Sequence, residues 1–365
     1  MSWFKTVTGL LVFCAGLLPV FAQTGGNFAI TRSVIAGGGG RSAGGTFSVD
    51  STIGQSIAGT TSTGGSFSIT SGFWAGGGIA SSARRSAFDF DGDGKADVSV
   101  FRPGSSAQWW WINSGTGVAV GSSFGTTGDI PVPADYTGDG KTDMAFFRPG
   151  NANWYIVRSE NNSFFAFPFG LASDVQVPAD YDGDGKADPA VFRSGTWFIL
   201  KSSDGQVQTS TFGQAGDRPI PVDFDGDGKA DLAIFRNAGG VGQFWVLRST
   251  AGLIAAQFGN GTDAAIPADF TGDGKADMAI YRDGGAPTNW FVLRSDDNFA
   301  SFFAFPFGVA GDKPALGDFD GDGKVDPSVF RPSSATWFIS KTTGGVDTIP
   351  FGIAGDVALP NVYVR

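Results

Sequence analysis

From about residue 98 onward, apolar residues come in short clusters, rich in aromatic and β-branched types and separated by Gly, Ser and Asp. The stretch 175–212 shows the pattern: Val175 to Tyr181, Pro189 to Arg193, Trp197 to Ser202 and Val207 to Phe212 each read as a strand. Clusters this short, bounded by turn residues, leave no room for a helix of ten or more residues. The predicted class is all-β.

The four-strand pattern repeats. A loop beginning Asp89-Phe-Asp-Gly-Asp-Gly-Lys-Ala-Asp97 recurs with its first Asp at positions 135, 180, 223, 269 and 318, at intervals of 46, 45, 43, 46 and 49 residues. Each copy then carries an aromatic-Arg pair: Phe101-Arg102, Phe147-Arg148, Phe192-Arg193, Phe235-Arg236, Tyr281-Arg282 and Phe330-Arg331. An aromatic heads the next strand (Trp109, Trp154, Trp197, Phe244, Trp290, Trp337), and a Phe-Gly follows with an Asp four residues after the Gly. Four strands per unit of about 45 residues is the blade of a β-propeller, and one blade cannot bury both of its faces alone. About six blades are predicted, with seven as the alternative. Phe351 to Tyr363 repeats only the lead-in, with Val362 where the first loop Asp would stand. A lone lead-in strand is what closes a ring onto its first blade and removes two open edges; an open solenoid is the alternative.

The organisation read from the chain is a signal peptide at 1–22, a Gly-rich β segment at 23–80, a linker at 81–86 and the repeats at 87–365. Lys5, the apolar run Val7 to Phe21 and Val20-Phe21-Ala22 form the signal, cut before Gln23. About 15 apolar residues are too few for the roughly 20 of a spanning helix. Cys14 is a poor lipoprotein anchor, because Phe13 precedes it where a small residue is expected. The mature chain would then be secreted or at the cell surface, with no membrane span and no Cys for disulfides. In 23–80, strands are expected at Phe28-Ala-Ile-Thr-Arg, Phe47-Ser-Val-Asp-Ser-Thr-Ile and Phe67 to Trp74.

Composition argues against catalysis. Among 365 residues there are 57 Gly, no His, one Cys and a single Glu, Glu160, so the acidic side chains are almost all Asp. General acid–base chemistry near neutral pH relies first on His. No enzyme activity is expected, and no nucleic-acid partner for a chain of net charge −10.

The loops themselves carry candidate chemistry. Carboxylates at positions 1, 3, 5 and 9, a Gly at 6 for the sharp turn and an inward carbonyl at 7 gather oxygens around one point. The expected ligands are Asp89, Asp91, Asp93, Asp97 and the Lys95 carbonyl in the first loop. They are Asp135, Thr137, Asp139, Asp143 and Lys141 in the second, and Asp180, Asp182, Asp184, Asp188 and Lys186 in the third. The fourth offers Asp223, Asp225, Asp227, Asp231 and Lys229; the fifth Asp269, Thr271, Asp273, Asp277 and Lys275; the sixth Asp318, Asp320, Asp322, Asp326 and Lys324. An all-oxygen donor set selects Ca2+ over zinc or copper, and magnesium resists so many protein ligands. One ion per loop, six in all, is expected, with weaker sites where Thr137 and Thr271 replace Asp. The loops hold 22 of the 35 acidic residues, and crowded carboxylates repel one another unless a cation joins them. Six divalent ions would bring the mature chain to about +1.

The repeated aromatics read as core between neighbouring blades, and the repeated Arg as structural, paired with the Asp after Phe-Gly. Two departures stand out. Trp109-Trp110-Trp111 sends Trp110 to the face opposite its neighbours; structural packing is the favoured role there, and a platform for a sugar ring is the alternative. The runs Phe164 to Phe169 and Phe302 to Phe307 are aggregation hazards unless covered or used as a contact surface.

Asp-x-Asp-Gly-Asp-Gly loops combined with Phe-Gly and a Gly-Asp lead-in resemble the FG-GAP/VCBS repeat family, over about residues 87–363. The bacterial secreted branch is the most similar, and single blades resemble the calcium-binding blades of integrin α-subunit propellers. The resemblance implies a propeller with one calcium per loop and a role in adhesion or ligand binding. Residues 23–80 are similar to a Gly-rich segment ending in Gly72-Phe73-Trp74 that precedes varied domains of secreted bacterial proteins. The expected function is a secreted, calcium-binding adhesion, scaffold or ligand-binding propeller, with an unknown surface protein or glycan as partner. A carbohydrate-binding lectin is the alternative, and a calcium-assisted polysaccharide lyase a more distant one.

Overall fold

The computed structural model describes residues 87–361, together with the backbone of short strands between residues 24 and 71. The expected signal peptide, the linker at 81–86 and residues 362–365 lie outside the described residues. The chain divides into two compact units, Met1–Ser82 and Ala83–Arg365. In the first, three antiparallel hairpins pair Thr24–Gly25 with Phe28–Ala29, Gly40–Gly44 with Phe47–Ser51, and Thr60–Gly64 with Phe67–Ser71.

The second unit is a six-bladed β-propeller, each blade an antiparallel four-stranded sheet. Blade two shows the plan: Ile130–Pro131, Met144–Arg148, Asn153–Val157 and Phe164–Pro168 pair in chain order. Blade three (Val175–Gln176, Ala190–Arg193, Thr196–Leu200, Val207–Thr211) follows the strands read from sequence, except that the lead-in is shorter. Blades four, five and six span 218–260, 264–306 and 313–350 on the same plan. Blade one takes Val98–Arg102, Gln108–Ile112 and Ala119–Ser123 from the start of the unit and its first strand, Val357–Ala358, from the end. The ring is therefore closed by the C-terminal lead-in, with six blades, not seven, and not an open solenoid. Among the described residues the only helical turn is Leu359–Asn361.

The core lies between blades. Trp109, Trp154, Trp197, Trp290 and Trp337 and Phe244 are fully buried. Each packs against apolar residues of the following blade: Trp154 shares a cluster with Val191, Trp290 with Val329, and Trp337 with Val98 and Val100. An aromatic of this size buries about 150–250 Å², so each blade is stabilised mainly by its neighbour. In four copies the indole Nε1 donates to the carbonyl of the Phe in Phe-Gly, at 2.8–3.0 Å.

Phe-Gly is the hinge between blades. Gly170 has φ of +90°, and a Cβ there would meet Asp174 Oδ2 at 3.1 Å and Val191 of the next blade at 3.0 Å. Asp174 accepts the N–H of Leu171 at 2.8 Å and both Nε and Nη2 of Arg193 at 2.6 and 2.7 Å. The other five copies repeat this fork: Asp356 with Arg102, Asp129 with Arg148, Asp217 with Arg236, Asp263 with Arg282 and Asp312 with Arg331. The Asp is buried in every pair, and bidentate charge-assisted bonds suit that position. The guanidinium also lies over the aromatic that follows the buried Trp or Phe, for example Tyr155 at 4.7 Å and Phe338 at 4.3 Å.

Candidate metal centre

In blades two to six the Asp loop joins the first strand to the second, and in blade one it leads directly into the second strand, Val98–Arg102. In the first loop Asp89 accepts the N–H groups of Gly92 and Gly94, at 2.6 and 2.8 Å, folding the chain around one carboxylate. Asp97 is fully buried and holds two segments: Oδ2 accepts from Phe90 N at 2.8 Å and Oδ1 from Ser114 N at 2.7 Å. The fourth loop repeats this with Asp223 and Asp231.

Four loops bring three carboxylates together. Oxygens of Asp89, Asp91 and Asp97 lie within 4.8 Å of one another, as do those of Asp180, Asp182 and Asp188, of Asp223, Asp225 and Asp231, and of Asp318, Asp320 and Asp326. These are positions 1, 3 and 9. At position 5, Asp93, Asp184, Asp227 and Asp322 each accept from a hydroxyl, of Ser114, Ser202, Ser249 and Thr342, at 2.6–2.9 Å. In the second and fifth loops Thr137 and Thr271 direct their hydroxyls to Asp143 and Asp277, at 3.5 and 3.4 Å. Asp135 and Asp269 there accept from Gly138 and Gly272, and Asp139 and Asp273 from Ser159 and Ser295.

The loops are also joined to one another. The N–H of position 8 donates to the position-1 carbonyl of the preceding loop: Thr142 to Asp89, Ala187 to Asp135, Ala230 to Asp180, Ala276 to Asp223 and Val325 to Asp269. Ala96 donates to Asp318 at 2.7 Å and completes the circle. Over this circle lie the position-7 lysines, whose stems cover the position-4 glycine of the preceding loop. A Cβ on Gly92 would come within 2.8 Å of Lys141 Cε, and Gly138, Gly183, Gly226, Gly272 and Gly321 are met likewise by Lys186, Lys229, Lys275, Lys324 and Lys95. A change in one loop is thus transmitted to the adjoining blade.

The donor set fits a hard divalent cation. It is all oxygen, and Asp225 Oδ1 is buried with no hydrogen-bond partner among the described residues, which a bound cation would satisfy. Burial pushes Asp97 and Asp231 up to about 6, with neighbouring carboxylates adding to the shift. Asp89, Asp180, Asp188, Asp223 and Asp326 are raised too, burial being the largest cause. In the cation-free protein, groups with raised folded pKa bind protons more tightly than the unfolded chain does. Stability then increases as pH falls from above 6 toward 4. The melting midpoint in chelator is expected to be higher at pH 5 than at pH 7.5, whereas the increment added by calcium shrinks over the same range as protons compete. A chelated midpoint that falls on acidification to pH 5 contradicts the assignment.

A set of loop partners escaped the sequence reading. The residue five positions after each repeated Trp or Phe is Ser114, Ser159, Ser202, Ser249, Ser295 or Thr342. Its N–H donates to the buried position-9 Asp at 2.7 Å in all six blades. The constant offset from the Trp was the available signal. Of the tryptophan run, Trp109 is buried and the other two are half-buried. Trp110 lies under Arg102 and donates to Gln108 Oε1 at 3.1 Å, while Trp111 stacks on Phe90 at 5.0 Å. In the phenylalanine runs Phe165 and Phe167 are half-buried and stacked, and Phe164 and Phe302 are exposed.

Residues 89–146, the first Asp loop through to the second strand of blade two, match the profile of the FG-GAP-like repeat. Comparison with curated proteins returned no match. Similar solved structures include an Agrocybe aegerita lectin described for specific recognition of non-reducing terminal N-acetylglucosamine. It is 17% identical, with 73% of this chain and 96% of that chain covered and a TM-score of 0.46. Another is a catalytically inactive virginiamycin B lyase from Staphylococcus aureus with quinupristin, 8% identical, covering 71% and 86% of the two chains at a TM-score of 0.43. At these identities the likeness is one of fold.

Proposed function

We propose that this protein is a secreted, non-catalytic propeller whose Asp loops bind Ca2+, and that the calcium-stiffened ring presents a surface for a cell-surface protein or glycan. The observation that supports it most is the gathering of three carboxylates, one of them fully buried, in loops that are hydrogen-bonded to one another around the ring. When bound, the cation would neutralise these charges. Asp89, Asp91 and Asp97 and their counterparts would hold it, and the circle of backbone bonds would carry its effect to neighbouring blades. The chain has no His, and the repeated Arg are engaged by buried Asp.

Adhesion to protein is favoured over the lectin reading, because Trp110, the candidate sugar platform, has Arg102 over its ring at 5.8 Å. Calcium-loaded protein offered to a glycan array and to intact cells tests this. Cell binding that chelator abolishes, with a blank array, is the expected result. Binding to a defined glycan set alone shifts the function to a lectin, and unsaturated sugar formed from an acidic polysaccharide refutes the non-catalytic assignment.

A further inference from the structure

The six blades are not equivalent; they fall into three pairs lying opposite one another in the ring. Blades one and four share Gln108 and Gln243, each accepting the Nε1 of the half-buried Trp110 or Trp245 at 3.1 Å. Blades three and six share Asp188-Pro189 and Asp326-Pro327, followed by Trp-Phe-Ile at 197–199 and 337–339. Blades two and five share Phe-Phe-Ala-Phe-Pro-Phe-Gly at 164–170 and 302–308, and they alone carry Thr at loop position 3. The ring is thus a three-blade unit present twice, and the Thr loops are its middle members.

Their hydrogen bonding differs from that of the other four. Asp143 Oδ1 accepts from Ser159 N at 2.7 Å and lies 2.7 Å from Ser159 Oγ, whose one proton is shared with Asp139 Oδ2 at 2.9 Å, and 3.5 Å from Thr137 Oγ1; its Oδ2 accepts from Tyr136 N and Thr137 N at 2.8 and 3.0 Å. Asp277 has the same five neighbours, from Ser295, Thr271 and Phe270. Asp97, Asp188 and Asp231 each accept two backbone N–H groups, and the nearby serine hydroxyl sits closest to position 5, with no threonine hydroxyl beside the buried carboxylate among the described residues. Asp326 is intermediate, taking Thr342 Oγ1 at 3.1 Å, but it keeps Asp320 beside it.

The hairpin over the loop changes in step. Where position 3 is Asp, the residue after the repeated Ser or Thr is Gly115, Ser203, Thr250 or Thr343, and its N–H donates to that Asp at 3.0–3.3 Å. Where position 3 is Thr, the residue is Glu160 or Asp296. Carboxylates at both places would repel each other. Neither acid stands in for the lost ligand: Asp296 is forked to Arg294, and Glu160 accepts from Asn161.

We propose that the chain takes up four calcium ions, in blades one, three, four and six, and that in blades two and five two hydroxyls, Thr137 with Ser159 and Thr271 with Ser295, occupy the cation's role. This rests on the calcium reading above and refines its count from six to four. Hydroxyl donors on the buried carboxylate offset its charge, and a cation would have to displace them while facing one carboxylate fewer.

Native mass spectrometry of the purified full chain, titrated with CaCl2 alone, counts the ions. Four is the expected number at saturation. Any other non-zero count overturns this inference and leaves the calcium reading standing, whereas no bound ion overturns the calcium reading itself. The loops can then be distinguished individually. Asp135→Asn in blade two should leave the count at four, and Asp89→Asn should lower it to three. Thr137→Asp combined with Glu160→Gly should raise it to five, each variant being checked for native circular dichroism. Loss of an ion on Asp135→Asn in a folded variant overturns the inference independently of the total.

Discussion

Deleting residues 357–365 is expected to abolish cooperative unfolding or to lower stability by more than about 5 kcal/mol. The deletion removes the inner strand of blade one, in which Val357 pairs with Phe101 and Ala358 with Val100. It also removes Leu359, fully buried in a cluster with Phe88, Phe101 and Trp109. A buried Leu alone is worth about 2–5 kcal/mol when truncated, and here a ladder is lost with it. The covalent tie between the last blade and blade one is then lost, leaving the packing of Trp337 on Val98 and Val100 and the Ala96–Asp318 bond between them, and Val98–Arg102 becomes an open edge prone to pairing with other chains. Urea unfolding followed by tryptophan fluorescence, with limited proteolysis, measures the effect. A single transition at an unchanged midpoint would show that ring closure contributes nothing.

Trp154→Ala should cost about 3–5 kcal/mol, as for other large aromatics removed from a core. Trp154 is fully buried, contacts Phe147 edge-on at 5.9 Å and donates to the Phe169 carbonyl at 3.0 Å. It fills the space between blades two and three, so the cost is shared across an interface rather than confined to one sheet. Phe164→Ser, on the exposed side of the same blade, should fall within about 0.5 kcal/mol of the parent. Comparable losses for the two variants would mean that the blades do not depend on the buried column of tryptophans.

Much of this architecture was legible from the sequence because it is periodic. Repetition identified the strands, the Arg–Asp forks and the buried Trp positions, since a feature found in every copy must serve the blade. The closing lead-in was legible for the same reason: Val357 to Pro360 repeats the residues that start every other blade. What was missed lacks a distinctive composition. The Ser or Thr that bonds the buried loop Asp sits among other small polar residues, and only its distance from the Trp marks it. The bonds that Asp93 and its counterparts accept come from those same hydroxyls. The three tryptophans serve packing, as large aromatics usually do. Alternation does place Trp110 away from its neighbours, but Arg102 and Gln108 already occupy that face.

The central claim is that divalent cations neutralise the clustered carboxylates of the loops and so hold neighbouring blades together. Thermal unfolding of the purified chain at pH 7.5, in millimolar CaCl2 and in excess chelator, tests it most directly. A midpoint that rises with calcium concentration, as required of a ligand bound by the folded state alone, is the predicted result. Superimposable curves in the two buffers would contradict it.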